Sequence, residues 1–180
     1  MERKLFRHLR LRLRATKQAF IIVRSLVCKT HCMMVLVVTI SMTALSKKCK
    51  IISVTDRIGL AGFITAQGRN AANEPTGYVF NDCHVNGTGP IFLGRPYRNY
   101  SRVVFASTYM GNIITPEGWS EWLTGPLNLT TLSEVNCKGP GADMSRRVSW
   151  EKKLSNEEVA YLTNTTSFID KEGWLEKQPK

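Results

Sequence analysis

Residues 77–115 read GYVFNDCHVNGTGPIFLGRPYRNYSRVVFASTYMGNIIT, and their texture decides the fold class. β-branched and aromatic residues gather in short runs: Gly77–Val85, Ile91–Leu93, Arg102–Tyr109 and Asn112–Thr115. Such side chains suit the pleated, half-buried surface of a sheet. Gly87-Thr88-Gly89 and Gly111-Asn112 stand between them as turn formers. Two more runs, Cys49–Thr55 and Gly62–Ala66, come earlier, with turn signals at Gly59 and Asn70. No long amphipathic helix is predicted before Asn156. Many short strands with frequent punctuation imply an all-β body: a sandwich, a barrel or a solenoid.

The C-terminal end reads differently. Ser155-Asn156-Glu157-Glu158 has the form of a capping box, with Ser155 as N-cap and Glu158 three positions on. Val159, Tyr161 and Leu162 give the following helix an apolar side. A helix at the end suits a solenoid, whose last coil must not leave an open strand edge. The segment 168–175, which contains Trp174, is expected to pack back on the body, and 177–180 to be a solvated end.

The 180 residues carry 25 Lys and Arg against 14 Asp and Glu, a formal net charge of +11. That excess is not spread evenly. Residues 1–50 hold twelve of the basic residues and one acid, Glu2, whereas residues 51–180 hold thirteen of each sign. A balanced body excludes a basic globular nucleic-acid-binding domain, and the N-terminal segment lacks aromatic interleaving and zinc-ligand spacing. The division is therefore residues 1–46 as a basic and apolar segment and 47–180 as the body. Basic residues through position 29, then a charge-free stretch from Thr30 to Ser46, have the order of a secretory signal. The same stretch read as a signal-anchor would hold the protein to a membrane through residues 30–46. An amphipathic surface helix and an altered start of the reading frame are the remaining alternatives.

Five cysteines occur. Cys28 and Cys32 have poor zinc-site spacing. Cys49 and Cys83 each sit on a β-prone run. If those runs stack in a sheet, their Cα atoms lie about 4.8 Å apart, within the range a disulfide needs. A Cys49–Cys83 bridge is expected in a secreted protein, with two buried free thiols as the alternative. Asn86, Asn99, Asn128 and Asn164 are glycosylation acceptors by pattern. Asn99 is expected to be less accessible, which leaves Asn86, Asn128 and Asn164 as candidates.

The densest chemistry lies at Leu93-Gly94-Arg95-Pro96-Tyr97-Arg98-Asn99-Tyr100-Ser101-Arg102. Arg95, held between Gly94 and Pro96, presents a planar fork of donors suited to carboxylates. Tyr97 and Tyr100 offer ring faces for sugars. The competing reading is that Arg95 caps carbonyls at a strand end.

These residues and four other blocks resemble the plant pectinesterases (pectin methylesterases). The blocks are Gly62-Phe63-Ile64-Thr65-Ala66-Gln67-Gly68-Arg69, Gly77-Tyr78-Val79-Phe80-Asn81-Asp82-Cys83, Tyr100-Ser101-Arg102-Val103-Val104-Phe105 and Pro116-Glu117-Gly118-Trp119-Ser120-Glu121-Trp122. They come in the family's order, from about Ser46 to Pro179, and cover the C-terminal half of its catalytic domain. The resemblance implies a right-handed parallel β-helix with a short C-terminal helix, with Cys49 and Cys83 on successive coils. It implies hydrolysis of galacturonate methyl esters in pectin, hence cell wall modification and pectin degradation, without a cofactor; a secreted monomer with no metal and no nucleic-acid partner is expected. Arg95 matches the arginine that holds the nucleophilic aspartate. Tyr97 stands where the family usually has tryptophan, and Trp122 matches the second Trp of a Trp-x-x-Trp pair facing the sugar cleft. Trp119 is expected inside the body, and Gln67 gains no oxyanion role from its motif. The two motifs that carry the catalytic aspartates are missing: no Asp occurs before Asp56, and Val35–Leu45 occupies the nucleophile's place. The resemblance therefore implies an ester hydrolase whose turnover from this chain is weak or absent. The alternative is a non-catalytic β-helix that binds pectate or a partner.

Overall fold

In this computed structural model, residues 43–53, 61–121 and 126–168 are described, with two short strands before them. Those two, β1 (Arg24–Ser25) and β2 (Leu36–Val37), pair antiparallel. Then follow β3 (Thr43–Lys47), β4 (Lys50–Ser53), β5 (Gly62–Gln67), β6 (Gly77–Asn81), β7 (His84–Gly87) and β8 (Ile91–Pro96). The third coil begins with β9 (Arg102–Ala106) and β10 (Tyr109–Met110), and the fourth with β11 (Thr131–Val135). Two helices close the described chain, α1 (Asn156–Thr163) and α2 (Thr165–Phe168).

From β3 onward, strands adjacent in sequence do not pair; each pairs with the corresponding strand one coil on, three strands later or, for β9 and β11, two. One sheet runs β3-β6-β9-β11, a second β4-β7-β10 and a third β5-β8, all parallel. Single bridges extend the ladders: Lys138 beside Tyr109, Ile114 beside Ile91, and Trp119 beside Gly94. The chain thus winds round one axis and lays each coil on the last, a right-handed parallel β-helix, the hand that parallel crossovers take.

The β3-β6-β9-β11 sheet shows why its strands are apolar without alternation. Tyr78, Phe80, Val103, Phe105 and Leu132 point into the core between the sheets, where they meet Ile64, Val85, Leu93, Met110 and Trp119. Val79 and Val104 point outward, but Leu162 of α1 and Phe168 of α2 cover them. Strands buried on both faces read as continuous hydrophobic runs. Phe80 and Phe105 stack on successive coils, with centroids 4.6 Å apart and planes 11° from parallel. The capping box of α1 is present: Ser155 accepts from the Glu158 amide, and the Glu158 carboxylate accepts from the Ser155 amide.

Two predicted runs prove to be two strands each. Gly77–Val85 breaks at Asp82-Cys83, and Arg102–Tyr109 breaks at Ser107-Thr108. The cause is a backbone corner repeated on every coil. Lys48, Asp82, Ser107 and Asn136 have φ of 52°, 55°, 49° and 51°, left-handed values rare for side-chain-bearing residues. Each turns the chain from one sheet into the next while the parallel ladder continues, as in Asp82 N–H to Ala106 O (3.0 Å) and Ser107 N–H to Val135 O (2.8 Å). The predicted run Asn112–Thr115 is a turn, and only Ile114 joins a ladder.

The last coil is closed by a buried polar cluster. Arg147 grips Glu134 with two bonds, Nε to Oε1 at 2.6 Å and Nη2 to Oε2 at 3.0 Å. Both side chains are almost fully buried. Arg147 also donates to the carbonyls of Thr115, Pro116 and Gly141, tying β11 to the turn before Trp119. Gly118 (φ +70°) lies under this guanidinium, where an added Cβ would come within 2.6 Å of it. Glu151 then caps β11, its Oε1 accepting from the Glu134 amide at 2.7 Å. Burial and the neighbouring Glu134 raise the Glu151 pKa from the ordinary 4.5 to about 7, against the pull of that amide, Lys153 and Arg147.

A carboxyl group raised in the folded state stabilises the fold fully below its unfolded pKa and loses that contribution as pH rises through the folded one. The unfolding free energy is therefore expected to fall between about pH 4.5 and pH 7, by about 1–3 kcal/mol. Urea midpoints of the wild type and Glu151→Gln at pH 4.5 and pH 8 check this. The Gln variant should lose most of that pH slope, and parallel slopes would contradict the assignment.

Candidate active site

Arg95 is the penultimate residue of β8, in register with Ala66 of β5. Gly94 before it allows this close pairing: an added Cβ would lie 2.0 Å from Thr65 Oγ1. That hydroxyl is buried and donates to the Leu93 carbonyl at 2.9 Å, so it is fixed in place. Arg95 itself is half-buried. Its guanidinium carbon lies 4.4 Å from the centroid of the Phe63 ring, which in turn stacks on Phe92 at 5.4 Å. The side chain thus reaches back from β8 across the preceding strand. Burial lowers its pKa below the ordinary arginine value, with Tyr97 opposing. It remains a cation at any working pH, and aromatic contact of this kind fixes a guanidinium plane. β2 also lies against β5.

The turn after β8 is pinned from below by Gln67, which is fully buried. Its carbonyl accepts the Tyr97 amide at 2.9 Å, and its side-chain Oε1 accepts the Arg102 amide at 2.6 Å. The Ser101 hydroxyl sits between the carbonyls of Gln67 and Arg98. Gln67 is thus engaged in holding backbone. Arg69, also buried, donates to the carbonyls of Ala72, Glu74 and Tyr100 and so joins the loop after β5 to the same turn. Its pKa is lowered to about 10, first by burial and then by Arg102, with Glu74 opposing. Arg98 lies across Gly68 and donates to Asn70 Oδ1 at 2.7 Å. These contacts leave Tyr97 at the top of the turn, 39% exposed. Sequence reasoning singled out Arg95 and Tyr97 but missed the holding roles of Gln67 and Arg69. Their sole local signal was that both fall in one motif block.

The other predicted residues are placed as follows. Trp119 is 1% exposed, within the core. Trp122 and Trp174 lie outside the described residues, as does most of the N-terminal segment. Cys49 and Cys83 are neighbours on successive coils, both thiols, with Sγ atoms 2.8 Å apart. The hydrogen bond between them lowers the Cys49 pKa and, with burial, raises that of Cys83. Asn86, Asn128 and Asn164 are exposed, whereas Asn99 is half-buried. Among the described residues no cluster of metal ligands occurs, and no helix is long and apolar enough to cross a membrane.

A family model described as Pectinesterase matches residues 35–173. Its start precedes the first motif block read from the sequence and takes in β2 and β3. Probable pectinesterase 29 of Arabidopsis thaliana is 46% identical over 122 residues, which is 67% of this chain and 36% of that protein. Probable pectinesterase 8 of Arabidopsis thaliana is 43% identical over 139 residues, 74% of this chain and 35% of that one. The chain spans little more than a third of the length of these relatives. Among solved structures, the pectin methylesterase from carrot superposes with a TM-score of 0.67 at 30% identity, covering 77% of this chain and 48% of that one. The Aspergillus niger pectin methylesterase gives 0.59 at 26%, covering 74% and 42%.

The contact between Gly94 and Thr65 supplies a test of how the arginine is held. Gly94→Ala is expected to cost about 1–3 kcal/mol by overpacking. Adding Thr65→Ala should restore part of that loss, because the hydroxyl in the way is gone. A double-mutant cycle by urea unfolding reads the coupling, expected at about 0.5–2 kcal/mol. Strict additivity would show that the two residues do not meet as described.

Proposed function

Because the chain belongs to the pectinesterase family, we propose that it contributes the arginine side of a site that hydrolyses methyl esters of pectin galacturonate. The reading rests chiefly on Arg95, which follows the close Gly94–Thr65 contact and reaches back over Phe63. Residues 35–45, where the family's nucleophile motif would fall, include β2, which lies against β5. An arginine extended over β5 suits the role of holding a carboxylate from that direction. Tyr97 presents an exposed ring at the end of the same strand for a sugar, and the family resemblance assigns Trp122, outside the described residues, to the same cleft.

The chemistry is nucleophilic attack by a carboxylate on the ester carbonyl, with hydrogen-bond donors stabilising the oxyanion. A second carboxyl group protonates the departing methoxide, which leaves as methanol, and then activates water. Both carboxylates are absent from the expected places in this sequence, which has no Asp before Asp56. The 180-residue chain therefore supports weak turnover or none, and binding of pectate without turnover is the second reading. Methanol release from methylated pectin tests this. The expected rate is on the order of 10³-fold or more below that of a full-length relative. Turnover at the relative's rate, abolished by Arg95→Ala, would overturn the inactivity.

We assign the protein to the secretory route as a monomer acting on the cell wall, with glycans on Asn86, Asn128 and Asn164. In that setting Cys49, the more acidic thiol of the pair, attacks first when a disulfide oxidant accepts two electrons, and the Cys49–Cys83 bridge forms. Closing this loop is expected to stabilise the fold by about 2–4 kcal/mol. Mass spectrometry of secreted protein under non-reducing conditions should find the peptides of Cys49 and Cys83 joined. Complete alkylation of both thiols without prior reduction would place the protein in a reducing compartment instead.

A further inference from the structure

The sheet β4-β7-β10 carries a column of side chains that the esterase reading does not use. Lys50, His84 and Tyr109 occupy successive rungs in one register, and Lys138 bridges onto Tyr109 as the fourth rung. Their neighbours Ile51, Val85 and Met110 face the core, so the column is on the outside of the sheet. Lys50 and Lys138 are exposed, and His84 and Tyr109 are half-exposed. The two central rings lie against each other, centroids 4.5 Å apart and 35° from parallel. Tyr109 also rests on Gly139, where an added Cβ would come within 2.9 Å of the ring, so its orientation is fixed. No Asp or Glu occupies an outward position of these strands; Ile52 and Asn86 fill the adjacent column. The nearest carboxylate by register, Asp82, stands in the corner row on the rung after Lys48.

We propose that this column is a binding strip for a linear polyuronide, the de-esterified product polymer, separate from the cleft at Arg95. The proposal rests on the pectin reading for the identity of the polymer. Parallel rungs repeat about every 4.8 Å, so the two lysines stand about 14 Å apart along the helix axis with flat rings between them. A polyuronide matches this order. It presents a carboxylate on every sugar for the ammonium groups and apolar ring faces for the aromatics. A methyl-esterified chain keeps the ring faces but has lost the charges, so the strip distinguishes product from substrate. Because it lies on a different sheet from Arg95, a chain released from the cleft can stay bound to the same molecule.

Isothermal titration of the full chain with unesterified oligogalacturonate tests the strip. Lys50→Glu/Lys138→Glu, at two exposed positions, should weaken binding by about tenfold or more, since two ion pairs become two repulsions. Arg95→Ala should leave that difference between strip variant and parent intact. Carbodiimide coupling of the oligomer, followed by peptide mapping, should mark Lys50 and Lys138. Unchanged affinity in the double variant, or coupling confined to residues 1–48, would overturn the strip. So would equal loss of affinity for polyglutamate, because a site for charge alone does not need the rings. Retained oligogalacturonate binding in a protein whose full-length form releases no methanol would sink the esterase reading and leave the strip standing.

Discussion

The structure depends on one backbone constraint: each coil must turn at the same place in the stack. Residues 48, 82, 107 and 136 make that turn in the left-handed region, and none is glycine. The conformation costs about 1–2 kcal/mol per residue. It is held because the ladder continues through it: the Lys48, Asp82 and Ser107 amides donate to the next coil, and the carbonyls of Cys49, Cys83 and Thr108 accept from it. Cys83 and Thr108, which follow two of these corners, are buried, and so is the main-chain polarity they carry. Coil length varies freely elsewhere. The four corners are separated by unequal stretches of chain, and part of the difference is taken up in the loops after β5 and β8.

This constraint explains which parts of the fold the sequence discloses. Strand texture and the capping box at Ser155 are local matters of residue type and were legible, whereas the burial of Trp119 was expected only through the family resemblance. The corners were not. Asp82-Cys83 and Ser107-Thr108 lie inside apolar runs with no Gly or Pro at the break, so two strands read as one. β11 (Thr131–Val135) gave no signal because Ser133 and Glu134 interrupt its pattern. Glu134 is buried there only because Arg147, thirteen residues later, closes on it. The run Asn112–Thr115 erred in the other direction. Its β-branched residues face the core as strand residues would, but Gly111 starts a turn before the ladder can form.

The candidate site was legible for a different reason. A solenoid assembles chemistry across rungs, so spacing along the chain says nothing about which groups meet. Arg95 meets Phe63, and Gln67 meets Tyr97, Ser101 and Arg102, over roughly one coil of intervening chain. Composition around Arg95 alone was equally consistent with a carbonyl cap. Ordered motif blocks spread over successive coils identified the family, and the geometry then gave each block its physical task. Gln67 and Arg69 hold the turn, Gly94 and Thr65 seat the strand, and Arg95 and Tyr97 are what the turn presents.

The same rung logic separates binding from catalysis in this chain. Arg95 reaches one coil toward the N-terminus, so its chemistry depends on what stands on that coil. Under the proposed reading, a carboxylate on that coil is what Arg95 would orient. The column at Lys50, His84, Tyr109 and Lys138 needs no such partner, because each rung contributes one contact to an extended ligand and the contacts add along the axis. Loss or replacement of early coils therefore removes turnover abruptly, whereas affinity for a long polymer declines rung by rung. In a β-helix, functions that repeat along the axis are shared among many coils, whereas functions that require one particular pair of coils are not.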